Sequence, residues 1–94
     1  MPQFDRTATV ASGAGNTVVA KHPSRIRHVL VTTAGTGTGN VLFFDSATTN
    51  SGTIIGVIPA TVAAGAIFSF SMPAANGIVC QNVASGPALT VSFD

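Results

Sequence analysis

The sequence has no glutamate, no tryptophan and no tyrosine, and it has one cysteine, Cys80. Charge is nearly as scarce. Arg6, Lys21, Arg25 and Arg27 stand against Asp5, Asp45 and Asp94, so 7% of the 94 residues are charged, where roughly a quarter is usual. Each shortage excludes something. Disordered tails combine high charge with low hydrophobicity, whereas this chain has a net charge of +1 and 46% apolar residues. Nucleic-acid binding by bulk charge requires a strongly basic balance, which +1 does not supply. Sugar-binding faces commonly stack on Trp or Tyr rings, so a glycan-binding module is disfavoured. A lone cysteine makes no intrachain disulfide, which fits a reducing compartment. The most apolar stretch, Ile54–Phe68, contains Pro59 and falls short of the about 20 residues a membrane helix needs. The opening MPQFDRTATV has no apolar segment of signal-peptide length. These absences predict a soluble protein made in a cytoplasm, with no signal peptide, no transmembrane segment and no membrane partner.

What is present reads as strands. Thr7–Val10, Thr17–Lys21, Arg25–Thr33, Val41–Asp45, Thr53–Ile58, Ala66–Met72, Gly77–Gln81 and Leu89–Phe93 are rich in Val, Ile, Phe or Thr, the residues that suit a pleated, half-buried surface. Within Ile67–Met72 the alternation places Phe68, Phe70 and Met72 inward and Ser69 and Ser71 outward. Clusters of turn residues separate the strands at Ser12–Asn16, Gly35–Asn40, Thr49–Gly52, Asn76-Gly77 and Ser85–Pro87. Ala60–Ala66, after Pro59, reads as a loop with at most one helical turn. The prediction is an all-β chain: a single small sandwich, jelly-roll-like, of about eight short antiparallel strands with essentially no helix. It spans 1–94 as one domain, and Pro2 and Phe4 hint that Met1–Thr7 forms an extended N-terminal arm.

The charge distribution adds a constraint. From Ser46 to Phe93 the chain carries no formal charge. Sheets usually protect exposed edges with Lys, Pro or inward charges, and surfaces of small soluble domains are about 25–35% charged. The second half has only Pro59, Pro73 and Pro87 for this task, so either its edges are closed in a barrel or neighbouring copies cover them, which favours assembly. The expectation is a homo-oligomer or a component of an assembly.

Catalytic and cofactor chemistry finds no foothold. Gly35-Thr-Gly-Thr-Gly39 lacks the third glycine of a dinucleotide loop, since Asn40 takes that place. The next segment, Val41–Phe44, is a strand rather than a helix. The glycine run reads as a flexible hairpin loop. His22, His28 and Cys80 lack the close ligand pairs of a zinc site. His28 shares a predicted face with Ile26 and Leu30 and reads as a partly buried histidine. Near an oligomer axis it would make a pH-sensitive contact. Asp5, Asp45 and Asp94 form no evident acid–base pair, and Cys80 lies in an apolar strand where small thiols are ordinarily buried. No enzyme activity, metal or cofactor is expected. Lys21, Arg25 and Arg27, with His22 and His28 between and beside them, make a small basic patch suited to an acidic partner surface.

The segments Ser24–Thr32, Val41-Leu-Phe-Phe-Asp45, Thr53–Pro59, Ala74-Ala-Asn-Gly-Ile78 and Ala88-Leu-Thr-Val-Ser-Phe93 together resemble small all-β virion proteins of tailed bacteriophages, several of which decorate and cement the head. That resemblance implies a structural virion protein, a homo-oligomer (a trimer favoured, a dimer the alternative) on the capsid surface, with the major capsid protein as partner and no nucleic acid bound. Lys21, Arg25 and Arg27 would be its docking residues and His28 its axis contact. The alternative it carries is a phage tail or fibre module, or a β-sandwich recognising a host-surface receptor or glycan.

Overall fold

A computed structural model describes residues 6–13 and 15–94 of the chain. Eight strands succeed one another: β1 Arg6–Val10, β2 Asn16–Ala20, β3 Ser24–Thr33, β4 Asn40–Asp45, β5 Ile54–Pro59, β6 Ile67–Ala74, β7 Ile78–Gln81 and β8 Ala88–Phe93. They form two antiparallel four-stranded sheets with orders β1-β8-β3-β6 and β2-β7-β4-β5. The all-β sandwich predicted from alternation is therefore present, and the strand order is that of a jelly roll. Segment 60–66, the one stretch with any helical promise, forms turns.

Alternation explains which side chains meet. In β8, Leu89, Val91 and Phe93 are buried while Ala88, Thr90 and Ser92 between them are half-exposed, the period of two that a pleated strand imposes. Val10, Ile26, Val29 and Val31 join them from the same sheet. Val41, Phe43, Ile55, Ile58, Ile78 and Cys80 close the core from the other. Gly56 leaves room for the rings of Phe43 and Phe70, whose atoms lie 3.3 Å from where its Cβ would stand.

Strand β3 departs from simple alternation, and this corrects the expected placement of His28. The register steps from Ile26↔Phe93 to His28↔Ser92 and shifts against β6 over the same residues. A bulge of this kind turns two successive side chains to one face. Ile26 and Val29 both point inward, and His28 lies with Leu30 on the exposed face instead of in the core. Met72 is corrected too: it sits beyond the β6 irregularity and is 43% exposed.

Seven connections join the strands, and only β4–β5 stays within one sheet. Gly35–Gly39 is thus a crossing from one sheet to the other and not a flexible hairpin. Gly35 donates its N–H to Val62 O at 3.2 Å, while Thr36 and Gly37 donate to Ser85 O at 2.8 and 2.9 Å. Gly35 and Gly37 are buried, and a Cβ on either would strike backbone, at Ala60 O or Ala84 O. Asn82 anchors the same end. Its amide donates to Ala11 O and Pro87 O, at 3.1 and 2.8 Å, and its Oδ1 accepts from Val83 N at 2.9 Å. Of the expected N-terminal arm, Arg6 and Thr7 pair with Phe93 and Ser92 of β8 in their own sandwich, and residues 1–5 lie outside the described residues.

Candidate interaction surface

Arg25, Arg27 and His28 lie on the outward side of β3 in the β1-β8-β3-β6 sheet, but the fold uses both arginines internally. Arg27 donates to Asp94 Oδ2 at 2.7 Å, the one ion pair among the described residues. Asp94 is held in place because Arg25 and Asp94 exchange backbone hydrogen bonds, at 2.9 and 3.1 Å, extending β3 by its neighbour's end. The Arg25 guanidinium donates to Ser71 O at 2.7 Å, and His28 Nδ1 lies 3.2 Å from Ser69 Oγ. Lys21 and His22 are exposed in the β2–β3 turn. As a docking patch for an acidic partner the cluster is weak, since Arg27 is already neutralised and Arg25 already tied to β6.

Reactive chemistry is equally spare. No group of three His, Cys, Asp or Glu side chains gathers among the described residues. Cys80 points into the core between Thr17 and Phe43 of the flanking strands, and burial pushes its thiol up to about 12. At such a value almost no thiolate exists near neutral pH. Asp45 ends β4 and accepts the Asn76 N–H at 2.8 Å. That bond, helped by the neighbouring backbone of Ala75 and Gly77, holds its carboxyl below the ordinary range. Its role is to fix the β6–β7 turn. There Gly77, at φ +152°, lies where a Cβ would strike Ala20 O.

The feature that alternation in the sequence does not reveal is the side of the sandwich formed by β5 and β6. Each is the outer strand of its sheet, and neither carries a charge. Of the six exposed large apolar side chains, four lie here: Ile54 and Val57, both 48% exposed, Ile67 at 65%, and Met72. A fifth, Leu30, stands directly opposite Ile67 across the β3–β6 pair. Edge strands offer unpaired backbone groups to any second strand, and proteins ordinarily discourage this with charge or proline. On this side Pro59 and Pro73 are the only such devices. The opposite side differs: β1 begins at Arg6 and β2 runs directly into Lys21.

No protein-family model matches the chain, and none of the curated proteins does. A solved structure from the Bacillus endospore appendages, described as a novel family of disulfide-linked pili, is similar in fold, with a TM-score of 0.59 at 17% identity. The match covers 96% of this chain and 80% of that one. At this identity the likeness is one of fold. It nevertheless corrects the phage reading. The expectations of a head decoration protein, of a tail, fibre or host-surface binding module, of a major capsid protein as partner and of a virion location are overturned, because the similar structure is a bacterial spore appendage protein. The physical reason is plain. The segments that carry the resemblance are inward-alternating strands and the turns between them, and the jelly-roll topology demands that texture of any sequence it accepts.

Proposed function

We propose that the chain is a structural subunit, without enzymatic activity, that self-associates through its β5–β6 side into a non-covalent polymer of the appendage type. The observation that carries the proposal is the set of four exposed apolar side chains on two uncharged edge strands. Exposed apolar side chains concentrated along one uncharged flank mark a site of association, and strand edges associate by pairing. An uncharged side suits another uncharged protein surface, and a second copy supplies one. Contact of this side with the same side of a second copy closes a two-fold dimer, whereas its contact with a different face of the next copy repeats, and builds a filament where the rotation does not close a ring. The similar appendage structure supports the polymer reading, with one difference. Disulfide-linked polymers need at least two thiols per subunit, one toward each neighbour, and this sequence has one, buried in the core. The subunits are therefore held by packing and strand pairing.

The test is the mass of the purified chain by light scattering over a wide concentration range, in the presence of reductant. Growth to large multiples of the 9.4 kDa subunit supports the proposal. A monomer at every concentration rejects it.

A further inference from the structure

The β4–β5 hairpin does not project from the sandwich. Asn50 donates its side-chain amide to Gln81 Oε1 at 3.0 Å. Gln81 lies opposite Leu42, three positions along β7 from the Asp45↔Ile78 pair where the hairpin leaves β4. To reach it, segment 46–53 must fold back over the outer face of the β2-β7-β4-β5 sheet.

Beneath it runs a row of apolar side chains that crosses all four strands: Val18 opposite Val79, Val79 opposite Phe44, Phe44 opposite Ile54. The members of this row point away from the core, because Ile78, Cys80 and Phe43 beside them take the inward positions. Yet Val79 is fully buried and Phe44 is 8% exposed, while Val18 and Ile54 at the two ends are open to solvent. The covering segment, Ser46-Ala-Thr-Thr-Asn-Ser-Gly-Thr53, has no large apolar side chain with which to satisfy the row. Its own hydrogen bonds are mostly internal: Thr48 and Thr49 donate backbone N–H groups to Ser46 Oγ at 3.3 and 3.1 Å, and the Thr49 and Ser51 hydroxyls lie 2.7 Å apart. At its root Asp45 N donates to Thr53 O and Ser46 N to Gly77 O. Across the sheet face, Asn50–Gln81 is its one side-chain tie among the described residues.

We propose that segment 46–53 is a displaceable strap, and that a second copy of the chain docks on the Val18–Val79–Phe44–Ile54 row when the strap moves aside. The occupant is a second copy because Ile54 belongs both to this row and to the exposed β5 edge, where Val57 also lies, so the row runs directly into part of the surface proposed above for self-association. Among the described residues the row itself holds no charged side chain to select a charged partner. The inference rests on the self-association proposed above and adds a control to it. With the strap closed, the isolated subunit hides the centre of its apolar row and resists premature association. Contact at the β5 edge then favours the open form, because the partner binds that form alone.

The experiment compares Asn50→Ala and Gln81→Ala with the unaltered full-length chain, reading binding of an apolar fluorescent dye and the rate of assembly. Loss of one exposed hydrogen bond raises the open population by about threefold to tenfold. Dye binding by the dilute subunit and the assembly rate are expected to rise together by that order, with the melting temperature nearly unchanged. Assembly at the unaltered rate in both variants overturns the strap, whether or not dye binding rises. An unaltered chain that stays monomeric at every concentration overturns the self-association reading and the strap with it.

Discussion

Replacing Ile67 by lysine separates association from folding. Ile67 is 65% exposed in the isolated chain and stands beside Leu30 on the outer face of its sheet. Complete burial of an isoleucine is worth about 1.5–3 kcal/mol, so covering its exposed two-thirds at a contact recovers about 1–2 kcal/mol. Each 1.4 kcal/mol is a factor of about ten in an equilibrium constant. Ile67→Lys should therefore raise the concentration at which assembly begins by about 5- to 30-fold, before the desolvation of the new ammonium adds to the effect. Because the side chain contributes little to the core, folding should change by no more than about 0.5 kcal/mol, or about 4 °C in melting temperature. The assay is the threshold for scattering growth in a dilution series, with thermal unfolding measured in parallel. Ile67→Ala is the uncharged companion and should lie between lysine and the natural residue. A threshold unchanged within about twofold, with the fold intact, would refute the β5–β6 side as the contact, since it is far below the burial energy worked out above.

Three further outcomes arise from the packing and the titrating groups. Phe43 is fully buried, with its ring centroid 6.3 Å from that of Phe70, so Phe43→Ala should cost about 3–5 kcal/mol and lower the melting temperature by about 15–30 °C; a loss under about 8 °C would show that the core does not centre on this ring. The Asp45 carboxyl is held below its ordinary value by the Asn76 N–H first of all, so the stability it lends is complete above the unfolded-state value and is lost as pH falls through the folded one. Asp45→Asn should accordingly flatten the decline of melting temperature below about pH 4, and an unchanged profile would remove the turn from the account. Cys80, with its thiol raised to about 12 by burial, should resist thiol reagents at neutral pH until the chain unfolds, and assembled material should run as single chains on a non-reducing gel; reductant-sensitive multimers would contradict non-covalent assembly.

Much of the fold is legible in the sequence because period-two alternation is a local property. In β8, Leu89, Val91 and Phe93 announce their face without reference to any other strand, and the turn clusters mark where strands end. Alternation misplaces His28 because a bulge is invisible to it: the face of a side chain beyond the bulge depends on how β8 and β6 pair with β3, contacts 41 to 67 residues away in the chain for Ser69 and Asp94. The Gly35–Gly39 loop is misread for the same reason, since its rigidity comes from Ser85 and Val62. The lack of charge after Asp45 does point to a covered surface, but it cannot say which side. Only the sheet order puts β5 and β6 on the same flank, and only the Asn50–Gln81 contact shows that the β4–β5 hairpin lies over Phe44 and Val79. The phage resemblance fails because strand-and-turn texture reports a topology and not a partner.

Backbone hydrogen exchange measured at low and at high concentration tests the central claim most directly, because strand pairing at an edge protects amides that solvent otherwise reaches. Exchange should slow on assembly in Ile54–Pro59 and Ile67–Ala74 and quicken across segment 46–53 as the strap lifts. Protection confined to other strands, or an unchanged pattern in material that has assembled, would contradict that claim.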